Sequence, residues 1–326
     1  MSSSSAVGSS PRRIGRSNTR SERASIDART PSVAKVRVRP LALSSAASAA
    51  LQCGTPVLRA MHRNGFSLTI AGSDEDLYLG APGCGLLPLH IVARRCDLQR
   101  IGATASRAGA AAQAPFEFSV DTAGVRIFVT QLAPDPAGMR SPRAHANLAA
   151  LGHGLRALSA PLGLGLPAAD LLTPGGWVMQ TVAAVHGAAP AGEDAALALI
   201  GRGAGSTPAG DDMLVGMLAH AWATGGASAP LVTLLRGLAD RLPALTTRAS
   251  VGYLRAATRG EFGSHLLALV RSLPNTQCAH VLKLAGRVTR HGASSGLDTL
   301  SGLIAASEAA AAIATDAAQR AATAYS

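Results

Sequence analysis

The residues best placed to do chemistry lie in Gly201-Arg202-Gly203-Ala204-Gly205-Ser206-Thr207-Pro208-Ala209-Gly210-Asp211-Asp212, followed by Met213, Leu214, Met217, Leu218, Ala221 and Trp222. Those apolar positions share one face of a helix starting near Gly210. A loop so poor in side chains lets backbone N–H groups approach a ligand, and a helix N-terminus adds unpaired donors and the positive end of its dipole. The chemistry that suits such a loop is binding of a small anion. Capping by Ser206 or Thr207, with Asp211 and Asp212 complementing the dipole, accounts for part of the pattern but not for so long a run of small residues. The Lys and Ser/Thr of a P-loop are missing.

A second segment, Thr246-Thr247-Arg248-Ala249-Ser250, runs on through Leu254, Ala257 and Glu261. Read as a helix from about Thr247, it mixes hydroxyls into a packing face and puts a guanidinium at a helix start, where a planar two-point fork suits a carboxylate or phosphate. An N-cap with a surface Arg is the competing account. A third segment, His291-Gly292-Ala293-Ser294-Ser295-Gly296-Leu297-Asp298-Thr299-Leu300-Ser301-Gly302, has near-capping-box spacing between Ser295 and Asp298. It also echoes the first segment: Gly210, Asp212, Leu214 and Gly216 match Gly296, Asp298, Leu300 and Gly302 at a constant offset of 86. If the two are paired, both helix starts open into one cleft with Thr247 and Arg248 on its rim, and Gly216 and Gly302 permit close helix approach.

The nine histidines are scattered and none forms a helical ligand pair with a Glu, so a zinc enzyme is not indicated. Asp211 and Asp212 are candidates to share a Mg²⁺ with a bound phosphate.

The elements that must position these residues follow from composition. The chain has 326 residues, 48% hydrophobic and 15% charged, which is enough for one large or two ordinary domains. Aromatics make up only 3%, so the core is expected to rest on closely approaching helices and thin side chains. Of the formal net charge of +11, residues 1–40 hold nine cationic side chains against Glu22 and Asp27, a net +7. The remaining chain is only mildly basic and has few rings to stack on bases, so no nucleic-acid partner is expected. Cys53, Cys84, Cys96 and Cys278 lack metal-type spacing and read as reduced thiols. No apolar run resembles a signal or a membrane span, and a cytoplasmic protein is expected.

The predicted fold is α+β, with a β-rich barrel-like or small antiparallel part first and a mostly helical part after it. Residues 1–40 read as a disordered Arg/Ser-rich tail, with a start codon placed too far upstream as the plainest origin. A chain beginning near Arg39 is then expected to melt with the full chain. Residues 41–135 read as the β-rich domain: 42–61 as an interrupted helix, then strands at 66–70, 77–79, 86–93, 116–120 and 125–129, the last two pairing as a hairpin. Residues 136–326 read as the helical domain carrying the Gly-rich motifs, with helices at 146–158 and 193–200, a short strand near Trp177, and five or six further helices.

The succession GSTPAGDDMLVGML, TTRASVGYLRAATRGEF and HGASSGLDTLSGLI resembles the family of the AllH-type subunit of oxamate carbamoyltransferase, over roughly Gly201 to Leu303. The His291-Gly292-Ala293 run departs from the shorter Gly-His expected there. The resemblance implies a complex of several different subunits. It would move a carbamoyl group between oxalurate and phosphate, giving oxamate and carbamoyl phosphate in purine or allantoin breakdown.

That reaction needs a cradle for phosphate, one for the oxamate carboxylate, and donors aimed at the carbamoyl oxygen as charge develops there. From the residues themselves, Gly205, Ser206, Thr207 and Gly210, beside Asp211, are assigned to phosphate. Arg248 with Thr247 is assigned to a carboxylate, and Ser294 and Ser295, with Asp298 behind them, to the carbamoyl group or a second anion. Asp212, with Arg248, is the candidate catalytic residue, orienting the amide nitrogen or holding Mg²⁺. Beside an anion its carboxylate needs a proton, metal or hydrogen bond to offset repulsion. On this reading Arg248→Gln weakens anion binding with little effect on stability. The chain alone, showing no complete nucleophile-base set, is expected to transfer little carbamoyl. Two alternatives remain open: a ribokinase-like phosphotransferase with Asp211 as base, and a noncatalytic scaffold subunit.

Overall fold

The computed structural model describes residues 34–62, 64–110, 116–159, 161–186 and 191–324. Most of the segment read as a tail lies outside these residues. Its last part is the strand β1 (Ala34–Val38), with Val36 and Val38 buried. There follow β2 (Ala42–Ser44), α1 (Ser45–Cys53), β3 (Pro56–His62), β4 (Gly65–Ile70), β5 (Asp76–Gly80), β6 (His90–Val92), α2 (Arg95–Ala110), β7 (Phe116–Val120) and β8 (Arg126–Phe128). The architecture is mixed α+β, with the strands first, as composition and alternation predict.

The sheet has six strands in the order β3-β4-β5-β6-β2-β8. Pairings β3/β4, β4/β5 and β2/β6 are antiparallel, whereas β5/β6 and β2/β8 are parallel. The expected β7/β8 hairpin does not form. β7 instead pairs in parallel with β1, Val36 opposite Phe118, and β8 lies parallel to β2, Leu43 opposite Ile127. The interrupted helix expected over 42–61 is two strands around α1, whose cap is Ser44 accepting from the Ala47 amide at 3.0 Å. Leu43, Leu68, Leu77, Leu79, Ile91 and Ile101 fill one side of this part with almost no exposure.

Because Val36 and Val38 are buried, cutting the chain at Pro40 removes two core side chains. The expected result is a loss of at least about 1.5 kcal/mol relative to a chain starting at Val33. Thermal melting compares the two, and equal midpoints would return β1 to the tail.

The helical part comprises α3 (Pro136–Met139), α4 (Pro142–Arg156), α5 (Ala168–Leu171), α6 (Trp177–His186), α7 (Gly192–Leu199), α8 (Ala209–Gly225), α9 (Pro230–Gly237), α10 (Leu242–Leu245), α11 (Arg248–Thr258), α12 (Ser264–Ser272), α13 (Cys278–Val288) and α14 (Ser295–Ala324). Trp177 opens a helix rather than a strand, and the Arg202 guanidinium stacks 4.7 Å over its ring. From α8 onward there are seven helices where five or six were expected, the single turn α10 among them.

The core of this part is the crossing of α8 and α14. A Cβ on Gly216 would lie 1.9 Å from the Thr299 carbonyl oxygen, and one on Gly302 would lie 1.9 Å from that of Met213. Gly216 and Gly302, like Met213 and Thr299, are separated by 86 positions, so each helix makes the same contact with the other, as in a two-fold interface. Leu214 and Leu300 are both buried beside it. By length and composition α14 passes the test for a membrane-crossing helix, but half of its apolar window is buried in the protein core. Its residues 311–323 are all exposed.

Candidate functional site

The 86-residue echo extends to the helix starts. Gly210 sits where a Cβ would be 2.0 Å from the Leu199 carbonyl oxygen at the end of α7, and Gly296 where one would be 2.0 Å from that of Val288 at the end of α13. Each glycine lets the incoming chain turn tightly against the helix before it. The two starts meet: Thr207 Oγ1 and Ser295 Oγ are 2.9 Å apart. Gly205, Ser206, Thr207, Ser294 and Ser295 all line one cleft of about 830 Å³, so the structure brings these candidates together.

What they present to the cleft differs from the amide cradle inferred above. The Gly210 N–H donates to the Arg202 carbonyl at 2.8 Å, and those of Asp211 and Asp212 to Pro208. In α14 the N–H of Gly296 donates to His291, and those of Leu297 and Asp298 to Ser294. Both first turns therefore satisfy much of their own donor set, and Gly210 serves packing rather than a ligand. Hydroxyls and the positive dipole ends remain for the cleft.

Two cationic groups that sequence reasoning missed supply charge. Arg287 and Arg290, at the end of α13 and just beyond it, line the same cleft, and no ion pair engages either among the described residues. Their sequence signal was faint: two arginines ahead of the His291 motif on an otherwise amphipathic helix. Burial, with these two guanidiniums adding to it, lowers the pKa of His265. The sheet forms the facing wall through His62, Ser67 and Tyr78, with His62 Nε2 2.7 Å from Ser67 Oγ.

Arg248 and Asp211 do not face the cleft. The Arg248 guanidinium donates through Nε to Asp76 at 3.0 Å, and through Nη2 to Thr69 Oγ1 at 2.7 Å and to the Ser73 carbonyl. It ties α11 to the sheet and has no fork left for a carboxylate. Thr247 caps α11, accepting from the Ser250 amide at 3.2 Å, and its hydroxyl donates to the Ser206 carbonyl at 2.6 Å, bracing the anion loop. Asp211 accepts from the Gly201 amide at 2.8 Å and from the Thr246 hydroxyl. With its oxygens so engaged it lacks the freedom of a kinase base or a shared Mg²⁺ ligand. Among the described residues no three His, Cys, Asp or Glu side chains cluster as metal ligands.

Asp212 and Asp298 lie just inside the helix starts. Asp298 is fully buried and accepts from the Gly163 amide at 3.1 Å. Burial raises its pKa against the opposing hydrogen bonds of Ser294 and Gly163. Burial also holds the Asp212 carboxyl well above the ordinary carboxylate range, with the Asp298 and Asp211 charges adding to it and the Ser295 and Thr207 hydroxyls opposing. The direction of that shift favours the neutral form, which would not repel a nearby anion.

The sign of the pH effect follows. A carboxyl whose folded pKa is raised keeps its full contribution below the unfolded value near 4 and loses it as pH rises through the folded pKa. Asp212→Asn escapes that loss. Its melting temperature is expected to gain on the wild type as pH rises from 4 towards 8. A difference that stays constant across that range would show that Asp212 is not held protonated.

Residues 199–307 match the family model of the oxamate carbamoyltransferase subunit AllH. The matched AllH segment runs from the end of α7 into α14, and so takes in the α8–α14 crossing, both helix starts and Arg287 and Arg290. It contains all three motifs that carried the resemblance. The AllH family is that of a subunit of a carbamoyltransferase enzyme. No solved structure matches the chain.

Proposed function

We propose that this chain is a subunit of an oxamate carbamoyltransferase and that its cleft holds a small anionic substrate, phosphate or carbamoyl phosphate. The observation that carries the proposal is the meeting of two helix starts at Thr207 and Ser295, 2.9 Å apart, in a cleft that also receives Arg287 and Arg290, which no ion pair engages among the described residues. Four hydroxyls, from Ser206, Thr207, Ser294 and Ser295, two guanidiniums and two dipole ends suit the oxygens of a phosphate. The transfer forms a bond between a phosphate oxygen and the carbamoyl carbon of oxalurate and breaks that carbon's bond to the oxamate nitrogen, which takes up a proton. Partner subunits complete the catalytic set. The kinase alternative has lost its base, because Asp211 is committed to Gly201 and Thr246.

Calorimetric titration of the full chain with inorganic phosphate tests the cleft. Arg287→Gln and Arg290→Gln are each expected to weaken binding about tenfold or more, since a hydrogen bond to a charged group contributes about 1.5–3 kcal/mol. Both lie exposed on the surface, so the fold should survive. Absence of phosphate binding, or equal affinity in both variants, would remove the anion site.

A further inference from the structure

A second concentration of positive charge lies in the β-rich part. Arg37, Arg39, Arg94 and Arg100 line a cavity of about 440 Å³, together with Pro40 and Asp97. Four guanidiniums there meet one carboxylate, so the wall carries a net +3. The cavity shares no lining residue with the cleft at the helix starts.

Anchored backbone holds these arginines in place. The Asp121 N–H donates to the Val38 carbonyl at 2.8 Å and the Leu41 N–H to that of Val92 at 2.7 Å, so the link carrying Arg39 and the buried Pro40 is fixed from both sides. Arg94, Asp97 and Arg100 are spaced by three and share one face at the start of α2. Counter-charges engage only two of the four cations directly. Asp121 takes Arg37 at 2.8 Å and Asp97 takes Arg100 at 3.1 Å, and Arg100 Nη2 also donates to the Arg37 carbonyl at 2.8 Å. Among the described residues the side chains of Arg39 and Arg94 enter no ion pair or hydrogen bond, and Arg39 acts on Asp121 only through space.

The placement of Arg94 runs against ordinary helix electrostatics. Its carbonyl accepts from the Leu98 N–H at 3.1 Å, which makes it the N-cap of α2. Ser, Thr, Asp or Asn is preferred there, and cations beside a helix start oppose its dipole. Mutual repulsion among the four guanidiniums adds to that opposition, and an anion seated among them offsets both. We propose that this cavity binds a short linear polyphosphate, free or as the phosphate tail of a nucleotide, through Arg39 and Arg94 with Arg37 and Arg100 completing the set. The proposal does not depend on the anion cleft.

Charge, shape and lining select this class of ligand. A wall of +3 is matched by two or three linked phosphates rather than by one, and guanidinium forks fit their oxygens in pairs. The volume falls within the range of about 300–1,000 Å³ typical of small-ligand sites, which suits a compact anion better than an extended acidic segment of a protein. No aromatic ring is among the lining residues, so a base would find nothing to stack on and the phosphates carry the recognition.

The test titrates the full chain carrying Arg287→Gln and Arg290→Gln, which removes the cations of the cleft, with tripolyphosphate, ATP and inorganic phosphate in turn. Divalent cations are left out and the salt is held near about 0.15 M. Tripolyphosphate is expected to bind about tenfold or more tightly than inorganic phosphate. Adding Arg39→Gln and Arg94→Gln should weaken tripolyphosphate about tenfold or more, and both side chains are exposed, so the fold should survive. ATP binding equal to that of tripolyphosphate assigns the phosphate chain alone, and tighter binding assigns a nucleotide. Tripolyphosphate affinity that survives the loss of Arg39 and Arg94, or is no greater than that of inorganic phosphate, overturns the site. Tighter binding of a hexaglutamate peptide than of tripolyphosphate overturns it in favour of a protein partner.

Discussion

Alanine at Gly216 or Gly302 is expected to destabilise the chain by more than about 3 kcal/mol, at the upper end of what overpacking costs. Each Cβ would lie 1.9 Å from a backbone carbonyl oxygen of the facing helix, a contact that no side-chain rotation relieves. The helices must separate, and separation loosens Met213, Leu214, Met217, Leu300 and Leu303, all of them buried along the seam. Opposing this is the higher helix propensity of Ala, about 1 kcal/mol, which is too small to win. Gly286→Ala is the control. Gly286 lies inside α13 and no described atom comes within 4 Å of its added Cβ, so the propensity gain should appear there as a slight stabilisation. Thermal or denaturant melting of the three variants checks the set. Near-wild-type stability of Gly216→Ala would mean that the helices do not cross at these glycines.

The 86-residue echo was legible because close backbone approach leaves a signature in residue type: only glycine fits, and it must recur where each helix meets the other. The start of α8 was legible for a related reason, since its apolar face begins directly after a run of small residues with two acids in the first turn. Alternation likewise disclosed β4 and β5. What could not be read locally was the partner of a strand or side chain far away in sequence where no motif repeats. The parallel pairings β1/β7 and β2/β8 span most of the β-rich part, whereas the turn at Asp121–Gly124 suggested a hairpin that the sheet does not use. α2 escaped notice because its polar face dominates its sequence, although Ile101 is fully buried. In the site, the hydroxyls were assigned to the cleft from their place in the motifs, but the amides beside them proved to be engaged within their own turns. Arg287 and Arg290 resemble ordinary surface charges until the fold places them in the same cleft as Ser206 and Thr207. The wall contributed by His62 and Ser67 lies about 140 positions away from that loop and carries no motif.

Arg248 shows how the same side chain changes meaning once its distant partners are known. At a helix start between hydroxyls it read as an anion fork, and its loss was expected to affect binding and spare stability. Asp76 is 8% exposed, and Arg248 Nε reaches it at 3.0 Å, while Arg59 approaches it at 3.4 Å from a largely exposed position. Removing Arg248 leaves the buried Asp76 carboxylate with only the exposed Arg59 and frees the Thr69 hydroxyl and the Ser73 carbonyl, whereas Arg248 is not among the groups that line the cleft. Arg248→Gln is therefore expected to cost about 3 kcal/mol, the scale for breaking a buried pair, with phosphate affinity within about twofold of wild type in whatever fraction remains folded. Arg248→Lys should recover little, because one ammonium cannot reproduce the planar set of three contacts. Asp76→Asn combined with Arg248→Gln should regain a sizeable part of the loss, since no buried charge is then left alone. Denaturant melts of the single and double variants, with calorimetry on each, separate the two roles. A stable Arg248→Gln chain that no longer binds phosphate would restore the anion fork and refute the strut.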